Sequence, residues 1–144
     1  MWLPCAWAYR YSGNGLKSDF GGHDHRWHGN LLAYVGSCFG APQPFRYFKG
    51  YNDRFQNNTC IVIGPGYGAG PYSSDCYLDW SWIVGQNQIY TVDGNSTVTN
   101  VCGMPWLEWF AQNRTHDAGS TLSRWPSDHQ LVSWAENLLG VSLA

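Results

Sequence analysis

Three histidines and an aspartate fall within six positions in the segment Phe20-Gly21-Gly22-His23-Asp24-His25-Arg26-Trp27-His28-Gly29-Asn30. Imidazole and carboxylate are both metal ligands, so a transition metal is the first chemistry this set suggests. On a strand, however, His23 and His25 share one face while Asp24 opposes them. The strand then supplies two ligands, and a third must come from elsewhere. A second candidate pairs His25 with Asp53, 28 residues on. A carboxylate beside an imidazole can serve catalysis, or it can be a buried hydrogen-bonded pair, which is the plainer expectation.

The same segment recurs. Phe48-Lys49-Gly50-Tyr51-Asn52-Asp53-Arg54-Phe55-Gln56-Asn57-Asn58 repeats Phe, Gly, Arg, an aromatic and the final Asn at an offset of 28 residues. A weaker third copy, Trp82-Ile83-Val84-Gly85-Gln86-Asn87, ends 29 residues after Asn58. Repetition makes a structural unit the first expectation and catalysis the second. Each unit predicts a strand, an Asn corner and a second strand: Leu31–Val35, Thr59–Ile63 and Gln88–Val92 follow Asn30, Asn58 and Asn87. The flanks are short and rich in β-branched or aromatic residues, too short for helices. Asn tolerates left-handed backbone angles and suits such a corner. Gly- and Pro-rich stretches, 36–44 and 64–74, are expected as loops between units. A period near 28 residues with these features predicts a β-solenoid, in which successive strands stack about 4.8 Å apart.

Counting back from the corner assigns faces. Trp27, His25, Phe55 and Asp53 point one way, and the aromatic side should be the core. Asp24, Arg26 and His28 point the other way, beside Asn52, Arg54 and Gln56. Arg26 and Arg54 then stand one strand spacing apart, so one anionic group can bridge them. The plainer alternative is a solvated sheet face with local Asp–Arg pairing.

Composition narrows the classes. The chain has 144 residues, enough for one domain with a sizeable core. Charged residues are 12%, roughly half the usual share of about 25%, and the net charge is −2. Nothing here favours nucleic acid or an anionic membrane as partner. No run of 18 apolar residues predicts a transmembrane helix. Five cysteines, three N-x-[ST] sequons (at Asn57, Asn95 and Asn113) and few charges together favour a secreted or extracellular protein. Cys60 and Cys76 flank the second Gly/Pro stretch and can staple it, Cys38 can meet either, and spacing leaves the connectivity open. Met1–Ala8 lacks the basic n-region of a secretory signal, so a secreted form would lack an upstream portion.

The ends differ from the middle. Residues 1–19 form an aromatic segment, expected as a truncated coil, with a turn signal at Ser12-Gly13-Asn14-Gly15. Residues 20–103 hold the repeats. Residues 104–144 are expected to cap them, with a short helix over 104–113 and a stronger one opened by the N-cap Ser127 and capping-box partner Gln130. Leu131, Trp134, Ala135 and Leu138 follow at helical spacing, and Gly140 is the stop signal. Trp80, Trp82, Trp106, Trp109, Trp125 and Tyr67 can stack on sugar rings or fill the core and its ends.

The Asn-cornered segments Trp27–Asn30, Phe55–Val62 and Val84–Tyr90 resemble right-handed parallel β-helix proteins of the pectin-lyase-like superfamily. The tail, with Val101-Cys102-Gly103, Asp117–Thr121 and Pro126-Ser127-Asp128 before a Trp-Ala helix, resembles the C-terminal end of uncharacterised members. The resemblance implies an all-β, right-handed parallel β-helix of about three to four coils with a short C-terminal helical cap. It implies an amide ladder at Asn30, Asn58 and Asn87. It also implies a polysaccharide or glycan partner on the outward stripe of Asp24, Arg26, His28, Asn52, Arg54 and Gln56. Lyases of this group neutralise a uronate with Arg or a cation and remove a proton with a base. By that analogy Asp24, with Asp19 or Asp79, is a candidate for Ca²⁺ binding or for the base. Fold alone does not select an activity, and a noncatalytic structural or adhesive module remains the alternative.

Overall fold

The computed structural model describes residues 14–17, 23–41, 52–64, 66–69, 83–95, 100–101, 104–112 and 117–142. In chain order they form β1 (Asn14–Lys17), β2 (Arg26–His28), β3 (Leu31–Val35), β4 (Ser37–Ala41), β5 (Arg54–Gln56), β6 (Thr59–Val62), β7 (Tyr67–Ala69), β8 (Ile83–Gly85) and β9 (Gln88–Thr91). Then follow β10 (Asn100–Val101), β11 (Met104–Pro105), α1 (Trp106–Gln112), β12 (Asp117–Ala118), β13 (Thr121–Arg124) and α2 (Asp128–Leu139).

Most strands lie in three parallel sheets, ordered β1-β4-β7, β2-β5-β8-β12 and β3-β6-β9-β13. Among the described residues only β10 and β11 pair antiparallel. Each sheet collects one strand from successive repeats, so the 28-residue period is the sheet register itself: Trp27 faces Phe55, and Leu32 faces Cys60. Inward positions run Trp27, Phe55, Val84 in one sheet and Leu32, Cys60, Ile89, Leu122 in the next. With Val35, Phe39, Val62, Trp106 and Trp109 these residues make the core. Phe39 stacks on Phe55 at 4.9 Å and tilts against Trp27 at 5.5 Å. A bulge at Tyr34 (φ 57°) returns Val35 to the interior opposite Val62.

The sheet β1-β4-β7 occupies stretches that the sequence predicts as turn and loops. Their Gly and Ala content lowers intrinsic strand preference, and pairing with neighbouring repeats overrides it. Gly15 shows why a small residue is needed there. A Cβ on it would lie 2.8 Å from Leu32 Cδ1 and 2.9 Å from the Cys38 carbonyl oxygen. It permits close approach within a strand rather than a turn. The bridge Cys38–Cys60 crosses the interior between β4 and β6, so Cys38 meets Cys60; Cys76 lies outside the described residues.

β12 and β13 lie within the stretch expected as a capping region, yet they extend two of the parallel sheets by a fourth strand. The repeat escaped notice because Ser120 stands where Asn is expected. α1 buries Trp106 and Trp109 against the core. α2 forms where its signals place it: Ser127 accepts from the Gln130 amide, Gln130 returns the bond, and Gly140 closes the helix in the left-handed region. Its position differs from that of an end cap. Trp134 packs on Tyr90 at 5.3 Å, and Tyr34 Oη donates to Asp128 at 3.0 Å. The helix therefore lies along the outer face of β3-β6-β9-β13. It buries no residue of its own, and Leu138 is exposed. Val132, Leu138 and Leu139 stay exposed, so its apolar stripe is only partly used. The bond to Asp128 raises the Tyr34 hydroxyl above its ordinary pKa, because the ionised phenol would face a carboxylate.

Candidate functional site

All four strands of β2-β5-β8-β12 end at one corner, β2 and β5 begin at another, and the candidate side chains divide between them. At the ends of the strands, Gly29, Asn57, Gln86 and Gly119 take positive φ of 66°, 55°, 56° and 76°. The left-handed residue is thus the one before Asn30, Asn58 and Asn87, not the Asn itself. The Asn side chains instead point inward and connect the repeats. Asn58 Oδ1 accepts from Asn30 N at 3.1 Å and from Asn30 Nδ2 at 2.8 Å. Asn87 Oδ1 accepts from Asn58 N at 3.0 Å and Nδ2 at 3.2 Å. Asn58 and Asn87 also donate to the carbonyls of Trp27 and Phe55, the middle residues of β2 and β5. Ser120 Oγ takes the next place and accepts from Asn87 N at 3.0 Å. Ser120 in turn donates to Asp117, which also accepts from Trp109 Nε1 at 2.8 Å. Asp117 occupies the inward position of Trp27, Phe55 and Val84, and these two donors compensate its burial. Neither Ser120 nor Asp117 carries a signal in the single sequence, because Ser breaks the Asn pattern and Asp breaks the aromatic one.

At the strand beginnings, Asp24 and Asn52 both take positive φ, 59° and 58°. Asn52 Nδ2 donates to Asp24 Oδ1, and His23 Nδ1 donates to Asp24 Oδ2 at 2.7 Å. These two hydrogen bonds, with the nearby Arg26 charge adding to them, hold the Asp24 carboxyl below the ordinary carboxylate range. All three residues are exposed. Asp24 is thereby a fixed negative charge and a weak base.

Between the corners runs the outward stripe. Arg26 pairs in register with Arg54, and His28 with Gln56. The next strand offers Ile83 and Gly85 in those places. Parallel neighbours are separated by about 4.8 Å, so two guanidinium-bearing residues stand side by side. Neither Arg has an ion-pair partner among the described residues. Asp24, Arg26, His28, Asn52, Arg54 and Gln56 thus lie along two adjacent strands and the turns that open them.

His25 and Asp53 meet on the other side. Asp53 is 1% exposed, and its Oδ1 accepts from the His25 amide at 2.9 Å and lies 3.2 Å from His25 Nδ1. Among the described residues Asp53 Oδ2 has no hydrogen-bond partner. His25 is half exposed and stacks on Trp27 at 4.9 Å. The pair ties one repeat to the next, and only its Asp53 half is buried, whereas the sequence places both residues inward.

Among the described residues no three His, Cys, Asp or Glu side chains converge to hold a metal ion. Asp19 and Asp79, the candidate Ca²⁺ partners of Asp24, lie outside the described residues, as do Asn113, Trp80, Trp82 and the structural detail of residues 1–13. The sequon asparagines Asn57 and Asn95 are exposed. No helix among the described residues is long and apolar enough to cross a membrane. No family model matches the chain, and no curated protein and no solved structure matches it.

Proposed function

We propose that this chain is an extracellular right-handed parallel β-helix domain, akin to the pectin-lyase-like superfamily, that binds acidic glycans on the stripe of Asp24, Arg26, His28, Asn52, Arg54 and Gln56. The observation that carries this is the in-register pair Arg26 and Arg54 on an outward sheet face, without ion-pair partners among the described residues. Two neighbouring guanidiniums favour a carboxylate or sulfate that both can reach. Asn52, His28 and Gln56 add donors and acceptors suited to hydroxyl groups. Parallel strands joined by crossovers favour the right-handed coil. The Cys38–Cys60 bridge supports an oxidising compartment.

Binding without catalysis is the form we favour, since both oxygens of Asp24 are engaged by His23 and Asn52 and its carboxyl is held ionised. The test is titration against polygalacturonate, a sulfated glycan and a neutral glucan, with and without Ca²⁺, while following unsaturated product. Acidic chains should bind and neutral ones should not. Arg26→Ala with Arg54→Ala should weaken binding at least about tenfold, the loss expected for two charge-assisted hydrogen bonds. Equal binding of neutral and acidic glycans, or none, overturns the proposal. Product formation restores the lyase alternative.

A further inference from the structure

After β13 the chain turns back over the sheet it has just completed. Trp125 N donates to the Thr91 carbonyl at 2.8 Å, and its indole Nε1 donates to the Val62 carbonyl at 3.1 Å. Asp128 then accepts from Tyr34, and Trp134 returns to Tyr90. Tyr34 packs edge-on against Trp125 at 5.4 Å. The segment thus passes from the fourth strand of the sheet back to the first, and α2 returns as far as the third.

What lies beneath it is unlike the rest of the outer surface. Ala33, Ile61 and Tyr90 are in register across β3, β6 and β9 on the outward side. Ile61 is 1% exposed yet is not part of the interior core. It faces the side on which Trp125 reaches the neighbouring Val62 carbonyl and Trp134 packs on its register partner Tyr90. The covering itself is shallow. α2 has no buried residue, and it leaves Val132, Leu138 and Leu139 exposed. The sheet beneath is, by contrast, joined by continuous parallel ladders and crossed by a disulfide.

We propose that residues 125–139 are a releasable strap. The strap lifts as a unit while the three sheets stay intact, and its release uncovers an apolar strip of Ala33, Ile61 and Tyr90 flanked by Tyr34. Such a unit belongs to the low-stability end of a fold, because few apolar contacts and exposed backbone bonds hold it. The Tyr34–Asp128 bond is the latch. It joins the N-terminal turn of α2 to the first strand of the sheet, the most distant point the strap reaches. The strap stands apart from the Arg26–Arg54 stripe, and its release does not depend on a glycan ligand.

Hydrogen exchange of the full-length protein, resolved by peptide, tests this. Amides of α2 should exchange at least about tenfold faster than those of β6 and β9, in keeping with local rather than global opening. Tyr34→Phe removes the latch hydroxyl and keeps the ring. It should raise α2 exchange about fivefold, the value of one ordinary hydrogen bond, and leave β6 and β9 unchanged. Asp128→Ala is the second variant; it removes the acceptor of the same latch from the helix side, with the same expected pattern. Equal protection of α2, β6 and β9 overturns the strap. So does a parallel rise in all three in both variants.

Discussion

Two corners bound β2 and β5: at the strand ends a left-handed residue precedes a short polar side chain, and at the strand beginnings the short polar residue is itself left-handed. At one end Asn30, Asn58, Asn87 and Ser120 are joined in sequence, and Asn58 and Asn87 are buried, at 1% and 0% exposed. At the other, Asp24 and Asn52 are joined just as directly but lie in water. Similar side-chain chemistry therefore has different consequences. In the buried corner each amide must be satisfied from within, so its bonds specify the stacking of repeats. In the exposed corner water competes for every bond, and the same groups stay available to a ligand.

The largest test of this contrast is Asn58→Ala. It removes the acceptor of two Asn30 N–H groups and the donor to Trp27 and Asn87. Leaving several such groups unpaired should cost about 2–4 kcal/mol and lower the melting temperature by roughly 5–15 °C. A loss no greater than that of a surface substitution would mean the ladder follows from the stacking instead of specifying it. Ser120→Ala sharpens the same point at the ladder's end. It removes the acceptor of Asn87 N and one donor to Asp117, and urea unfolding should show a loss of about 1–3 kcal/mol.

The smallest effect is expected at the exposed corner. Asn52→Ala should lower the unfolding midpoint only slightly at neutral pH, and raise the Asp24 carboxyl toward its ordinary value, read by carboxyl resonances in an NMR titration. The sign of the accompanying pH effect follows from the lowered folded-state pKa. The stabilisation from Asp24 is fully present above its ordinary value of 3.8 and is lost as pH falls through the lower folded value. In Asn52→Ala that acid limb should shrink. A midpoint loss matching that of Asn58→Ala would erase the distinction between the corners.

The repeat, the facing of its strands and the residues of the outward stripe were legible before any coordinates. Their signal is local: Asn, Arg and an aromatic recur at one offset, and strand alternation does the rest. The third sheet was not legible. Ser37–Ala41 and Tyr67–Ala69 look like loops because Gly and Ala say nothing about what packs beside them. Ser120 was likewise hidden, since a serine substitutes for an asparagine only once the neighbouring amide is known to need an acceptor.

Sequence alone determined the period, the Asn corner, the caps of α2 and the side chains that share a strand face, because each depends on residues a few positions apart or on one constant offset. Tertiary structure alone decided which cysteines pair, where α2 lies and which of two similar corners is buried. Those outcomes depend on distances between residues far apart in the chain. Cys38 meets Cys60 through sheet stacking, and Tyr34 meets Asp128 only because the chain doubles back over its own outer face.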